Sequence, residues 1–331
     1  MSTRSRDRMQ ALERRETAAK RGLTSSRSKR KCAGESGLKA SDIGGSSGAK
    51  GGASVSGESF RVLISDSKRV EKIKRDEYLF GVVAAEVGGG YEPEALKAQA
   101  VASYTFALYR KAQNGGKKYD ITDDPSKDQA YITRSAAREK WGKKADSCEK
   151  AVDEAVAAVA GYRLVDDAGA PILAAYHAVS AGRTESAEVA WGEKLDYLQP
   201  VESVGDLLSP DYLSVRTFTQ AEFAQLMKPE VTLVGDAGGW LGELKWSQSG
   251  TVTSVTVGGK ALTGERVRQL LSLHSAAFEA SCSDGGFTFK VKGYGHGVGM
   301  SQYGANYMAK CGSTFLEILS HYYTGCKMVR G

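Results

Sequence analysis

The chain has no run of about 18 consecutive apolar residues, so the sequence offers no membrane-spanning helix. Its first fifty residues also lack the apolar core that a secretory signal requires. None of the five cysteines (Cys32, Cys148, Cys282, Cys311 and Cys326) forms a C-x-x-C pair. An odd count leaves at least one thiol free if the others pair. The late trio can supply one disulfide or stay buried and reduced, as most unpaired cysteines do. Net positive charge is missing from most of the chain as well. The net charge is +6, yet residues 1–50 hold 13 basic and 5 acidic residues, or +8, which leaves −2 for the rest. A nucleic-acid role for the folded part gains no support from charge. There is no internal repeat.

What is present is an ordinary globular composition, 41% hydrophobic and 25% charged over 331 residues. Residues 1–57 read as a disordered basic leader and Gly/Ser linker, too poor in apolar residues to offset chain entropy. Order is expected from Phe60, with a strand to Ile64. Asp76 is placed to cap a helix from Glu77 to Val87, and Gly88-Gly89-Gly90 stops it. Pro93 opens an Ala-rich helix from Glu94 to Ala112. A third helix is predicted from Lys144 to Ala160, then a hairpin around Asp166-Asp167-Ala168-Gly169. Further on, Thr217 to Met227 reads as helix, Leu244 to Val257 as paired strands, and Gly264 to Leu273 as a short helix. Phe287 to Val291 reads as a strand feeding Gly293-Tyr294-Gly295-His296-Gly297. Ser301 to Lys310 and Ser313 to Tyr322 read as closing helices. The sum is an α+β chain, a two-lobed mixed helix and strand domain with a substrate cleft.

On the first helix the apolar stripe Leu79, Val82, Val83 is continued by Glu86. A carboxylate on a core-facing stripe is costly unless it is paired or neutral. Burial favours the neutral acid, which is the form that protonates a leaving oxygen. The bland alternative is a helix-terminal glutamate that escapes to solvent past the three glycines.

The surrounding sequence bears on that choice. Residues 75–108 contain Tyr78-Leu79, then Gly81-Val82-Val83-Ala84-Ala85-Glu86, then Pro93-Glu94-Ala95-Leu96-Lys97-Ala98-Gln99-Ala100-Val101-Ala102. This resembles the opening of the stage II sporulation protein D family, which includes the amidase-enhancer proteins. Two more blocks match in order: residues 176–197, beginning Tyr176-His177-Ala178-Val179-Ser180, and residues 293–307, from Gly293 through Ser301-Gln302-Tyr303.

The resemblance implies a lytic transglycosylase that cleaves the bond between N-acetylmuramic acid and N-acetylglucosamine in peptide-stripped glycan, with Glu86 as catalytic acid. It implies a peptidoglycan-cleaving domain over 58–328, with a catalytic lobe (58–205), a second lobe (206–285) and a closing motif with helices (286–328). Lys97, Gln99, His177, Ser180, Glu185, His296, Ser301, Gln302 and Tyr303 are then candidate substrate-binding residues. His177 fits a glycan contact or a satisfied structural histidine equally well. Tyr303 and Trp191 fit either sugar stacking or simple core. Some relatives bind zinc in the region of residues 119–131, but that stretch has neither Cys nor His here, so no metal or cofactor is expected. Tyr104 and His274 stand where relatives usually carry Arg. The implied partners are glycan strands, a cell-wall amidase and associated membrane proteins, with no nucleic acid. The implied location is extracytoplasmic. A non-catalytic amidase enhancer is the competing function.

Overall fold

A computed structural model describes residues 57–283 and 286–331. The leader expected over residues 1–57 lies, apart from Gly57, outside the described residues. Along the chain run β1 (Ser59–Ile64), β2 (Arg69–Lys74), α1 (Arg75–Glu86), α2 (Pro93–Gln113), β3 (Ile121–Thr122), α3 (Arg134–Trp141), α4 (Ala145–Ala158), β4 (Tyr162–Val165), β5 (Tyr176–His177), α5 (Ala187–Trp191) and β6 (Leu213–Thr219). There follow α6 (Gln220–Met227), β7 (Leu241–Trp246), β8 (Val252–Val257), β9 (Lys260–Leu262), α7 (Gly264–Leu271), β10 (Phe278–Ser283), β11 (Gly286–Lys292), β12 (Met300–Ser301), α8 (Gln302–Lys310), α9 (Phe315–Tyr322) and β13 (Lys327–Arg330). Helices and strands are mixed throughout, as expected for α+β.

The buried apolar residues fall into two clusters. The larger is built round α2, whose Ala95, Ala98, Ala100, Ala102 and Ala107 are buried. Small side chains let neighbouring helices approach closely, and α1, α4, α8 and α9 all pack on α2. The smaller cluster joins α6 and α7 to the sheets β10-β11-β6 and β7-β8-β9. Phe223, Phe287 and Phe289 stack at its centre. Each such buried ring stabilises by about 3 kcal/mol.

Several boundaries differ from the sequence reading, each for a local reason. Asp76 does not cap α1: the helix starts one residue earlier, and Asp76 pairs with the Arg75 guanidinium at 2.7 Å. Thr217 is not helical but lies in β6, held along its length by β11. Thr219 caps α6 through a reciprocal capping box with Glu222. Gly264's helix stops at Leu271, where Ser272 turns left-handed at φ 50°. The hairpin at Asp166 is present, but its β4 arm pairs chiefly with β13 from the far end of the chain. Cys148, Cys282, Cys311 and Cys326 are all free, so the described part of the late trio forms no disulfide.

Candidate active site

Glu86 is the last residue of α1. From Tyr78 to Ala84 every residue of that helix is buried, so it is a core element rather than a one-sided surface helix. Its C-terminal end is where it meets the solvent side, and Glu86 is half-buried there. The three glycines end α1 as expected. Gly88 takes φ +66°, and at Gly89 a Cβ would lie 2.4 Å from Cys148 Cα on α4.

Three groups reach the Glu86 carboxyl. The Ala130 N–H donates to Oε1 at 3.0 Å. The Tyr176 hydroxyl lies 3.4 Å from the same oxygen. The Gln302 amide donates to Oε2 at 3.3 Å. Loss of hydration pushes the Glu86 carboxyl above its ordinary range, and these hydrogen bonds and the charge of Lys140 oppose that rise without reversing it. The Lys140 ammonium itself donates to the Ala85 carbonyl, one residue away. Among the described residues no carboxylate is hydrogen-bonded to Glu86.

Behind this first layer lies a buried set of amides and hydroxyls. Gln302 Nε2 also donates to Gln99 Oε1 at 3.4 Å. Gln99 Nε2 donates to the Ser103 hydroxyl at 3.1 Å, one turn further along α2. The Tyr176 hydroxyl donates to Gln129 Oε1 at 2.7 Å, and Gln129 Nε2 reaches the Tyr78 hydroxyl and the Ser103 carbonyl. Gln99 and Gln302 are thus brought together with Glu86. Lys97 is not: two residues along a helix is a rotation of about 200°. Its ammonium pairs with Glu94 at 2.6 Å, and the other Glu94 oxygen accepts the Phe315 N–H at the start of α9.

The parallel ribbon of β5 and β12 separates two environments. Tyr176 and His177 are consecutive strand residues, so their side chains leave on opposite faces. Tyr176 goes to Glu86, whereas His177 turns toward His296, with ring centres 5.7 Å apart. His177 Nδ1 lies 3.0 Å from the Val298 carbonyl, which fixes the proton on Nδ1. The Val298 N–H donates to His296 Nδ1 at 3.1 Å, and the Tyr176 backbone accepts from the His296 ring. The result is a closed brace between β5 and the glycine-rich segment. Desolvation pushes His177 down to about 4 and His296 to about 3, so both rings are neutral at ordinary pH. Trp191 covers His296 at 5.1 Å and is itself exposed. At Gly295, φ +112°, a Cβ would strike His177 Cβ at 2.8 Å, so the brace requires glycine there.

Ser180 and Ser301 converge on a residue that sequence reasoning missed, Asp206. Its carboxyl accepts from the Ser180 hydroxyl at 2.5 Å, the Ser180 N–H at 2.9 Å and the Ser301 hydroxyl at 2.7 Å. All three side chains are buried. Burial raises the Asp206 carboxyl despite these donors. Glu185 is held between the Ser247 hydroxyl at 2.5 Å and the Ser186 N–H at 2.9 Å, and so ties residues 185–186 to the turn after β7. A hollow beside it is lined by Arg183, Glu185, Ser275, Lys292, Gly295 and His296. The Tyr303 hydroxyl donates to the Leu208 carbonyl. Beyond Asp206, the residues missed were Tyr176, Gln129, Ala130 and Lys140. Tyr176 precedes His177 on a strand, so the alternation of side chains is the signal that sends it to the opposite face. Gln129 and Ala130 stood in the stretch 119–131, which was read only for metal ligands.

A family model described as stage II sporulation protein matches residues 65–165. The stage II sporulation protein D of Bacillus amyloliquefaciens is 39% identical over 268 residues, 80% of this chain and 76% of that protein. The protein of the same name from Bacillus subtilis is 37% identical over 82% of this chain and 78% of its own length. The amidase enhancer of Bacillus subtilis is more distant, 23% identical over 75% of this chain and 39% of its length.

Proposed function

Because the chain belongs to the stage II sporulation protein D family, we propose that it is a lytic transglycosylase of peptidoglycan with Glu86 as its acid and base. The observation that carries this reading is the setting of Glu86: a desolvated carboxyl at a helix end, with donors on both oxygens and no carboxylate partner among the described residues. One carboxyl suffices if no water is added. Protonated Glu86 gives its proton to the oxygen linking N-acetylmuramic acid to N-acetylglucosamine as the C1–O bond breaks. Positive charge develops on the sugar, as in other glycoside cleavages. The muramic 6-hydroxyl then bonds to C1 and returns its proton to Glu86. The products are a free N-acetylglucosamine end and a 1,6-anhydro end, and the enzyme is restored.

The substrate is glycan already stripped of peptide, which lies outside the cytoplasmic membrane, so the chain works in the cell wall or periplasm during sporulation or division. Among the described residues no helix is long and apolar enough to cross a membrane. The test is incubation with peptide-free glycan strands and mass spectrometry of the products, with Glu86→Gln in parallel. Products lighter by one water than hydrolysis products, lost in the variant, support the reading. Hydrated products overturn it in favour of a hydrolase.

The relative named amidase enhancer supports a second reading, in which the chain binds glycan and stimulates a cell-wall amidase without cutting. Amidase stimulation by Glu86→Gln equal to that of the unaltered protein, with no cleavage by either, selects it.

A further inference from the structure

We propose that Gln99, Ser103 and Gln129 are positioning residues for Glu86, forming a one-way hydrogen-bond relay that presents an N–H, and never a carbonyl, to the oxygen of Glu86 that faces Gln302. The proposal rests on Glu86 being the acid, but its geometry is independent of that reading.

The direction follows from the Ser103 carbonyl at one end and the Gln99 nitrogen at the other. The Ser103 carbonyl can only accept, and it lies 3.2 Å from the Gln129 amide. Gln129 must therefore turn its nitrogen there, which leaves its oxygen for Tyr176 at 2.7 Å. Tyr176 has one proton, and that bond takes it. The 3.4 Å contact from Tyr176 to Glu86 Oε1 is left without a proton of its own. The Tyr176 oxygen is then free to accept. On the other side of the set, Gln99 turns its nitrogen to the Ser103 hydroxyl, 3.1 Å away. The Gln99 oxygen accordingly faces Gln302 at 3.4 Å and needs a donor. Gln302 answers with one hydrogen of its nitrogen and offers the other to Glu86 Oε2 at 3.3 Å.

If Gln302 turned over, two carbonyl oxygens would face each other across the Gln99 contact, and buried acceptors without donors are costly. The relay forbids that turn. The consequence for Glu86 is chemical. A carbonyl against Oε2 would accept the acid's proton and hold it. An N–H cannot, so no protein group holds the proton on the Oε2 side, and the acid keeps it on Oε1, where the Tyr176 oxygen is a long 3.4 Å away. Among the described residues the titratable groups facing Glu86 are Lys140 from α3, Tyr176 from β5 and Tyr78 within α1, and only Lys140 carries charge. A change in the relay is thus read against a nearly uncharged background.

The test is Gln99→Met in the full chain, with Glu86 protonation followed by infrared difference spectroscopy of its carboxyl band, assigned by its loss in Glu86→Gln. The expected result is a rise in the Glu86 midpoint by about half a pH unit or more, roughly threefold in the ionisation constant. With peptide-free glycan, kcat is expected to fall about tenfold while KM stays within about twofold, since orientation of the acid matters in the transition state. Ser103→Ala breaks the relay one bond further from Glu86 and moves the midpoint in the same direction. It also decides the matter if Gln99→Met does not fold. An unchanged midpoint in a folded variant overturns the relay. If the unaltered protein does not cut glycan at all, the functional reading fails, while the infrared titration still decides the relay.

Discussion

The two faces of the β5–β12 ribbon hold similar residue types to opposite ends. On one, Glu86 is met by an amide, a hydroxyl and a backbone N–H, and one carboxyl oxygen keeps a donor that cannot take its proton. On the other, His177 and His296 spend their nitrogens on the backbone of residues 176 and 298, save the buried Nε2 of His177, which has no hydrogen-bond partner among the described residues. Polar groups that close on backbone atoms become structure. Polar groups that leave a proton unclaimed remain able to react.

The largest effect that tests this contrast is Glu86→Gln. Glycan cleavage should fall by 10²–10⁴-fold, the usual worth of a general acid, measured by release of anhydro ends. The variant should keep its fold and gain a little stability at neutral pH. Glu86 is raised by burial, so its contribution is fully present below the unfolded carboxyl value and is lost as pH rises through the folded one; glutamine removes that loss. A Glu86→Gln protein that still cuts would erase the distinction between the faces.

On the structural side, Asp206→Ala strands the hydroxyls of Ser180 and Ser301 in the interior. The expected cost is about 3 kcal/mol in urea unfolding, with any loss of activity following the loss of folded protein. Next comes acid. Both histidines are depressed, so the stability they lend is complete above about 6.5 and drains away as pH falls toward about 4 for His177 and about 3 for His296. Thermal melts of His177→Phe should be flatter over that window than those of the unaltered chain. A similar slope in both would mean the brace does not titrate.

The smallest effect belongs to Lys97→Ala. Its partly exposed pair with Glu94 is worth about 0.5 kcal/mol, and cleavage should stay within about twofold. A large loss of activity would return Lys97 to the substrate and require a second approach to the site.

Much of this was legible in the chain, and what was not has a common cause. The stripe ending in Glu86, the glycine stop and the order of the three blocks are local features, and local spacing shows them. Gln99 is placed toward the cleft because it falls near the apolar side of an Ala-rich helix. Asp206 and Gln129 were invisible for the opposite reason: one lies in a short 3-10 helix (Val204–Leu208), the other in a loop, and each acquires its role only from partners far along the chain. The same holds for β13, whose pairing with β4 joins residues 327–330 to 162–165. Thr217 went to the wrong element because strand pairing with β11 overrode a helix-compatible stretch.

The contact between Glu86 and Gln302 spans 216 positions of the chain. On a ribosome, α1 is made long before the amide that completes its acid, with the glycine-rich segment in between. A nascent or truncated chain that stops short of α8 therefore carries the acid without its orienting donor. The site around Glu86 is therefore assembled only once residue 302 has been made and folded back.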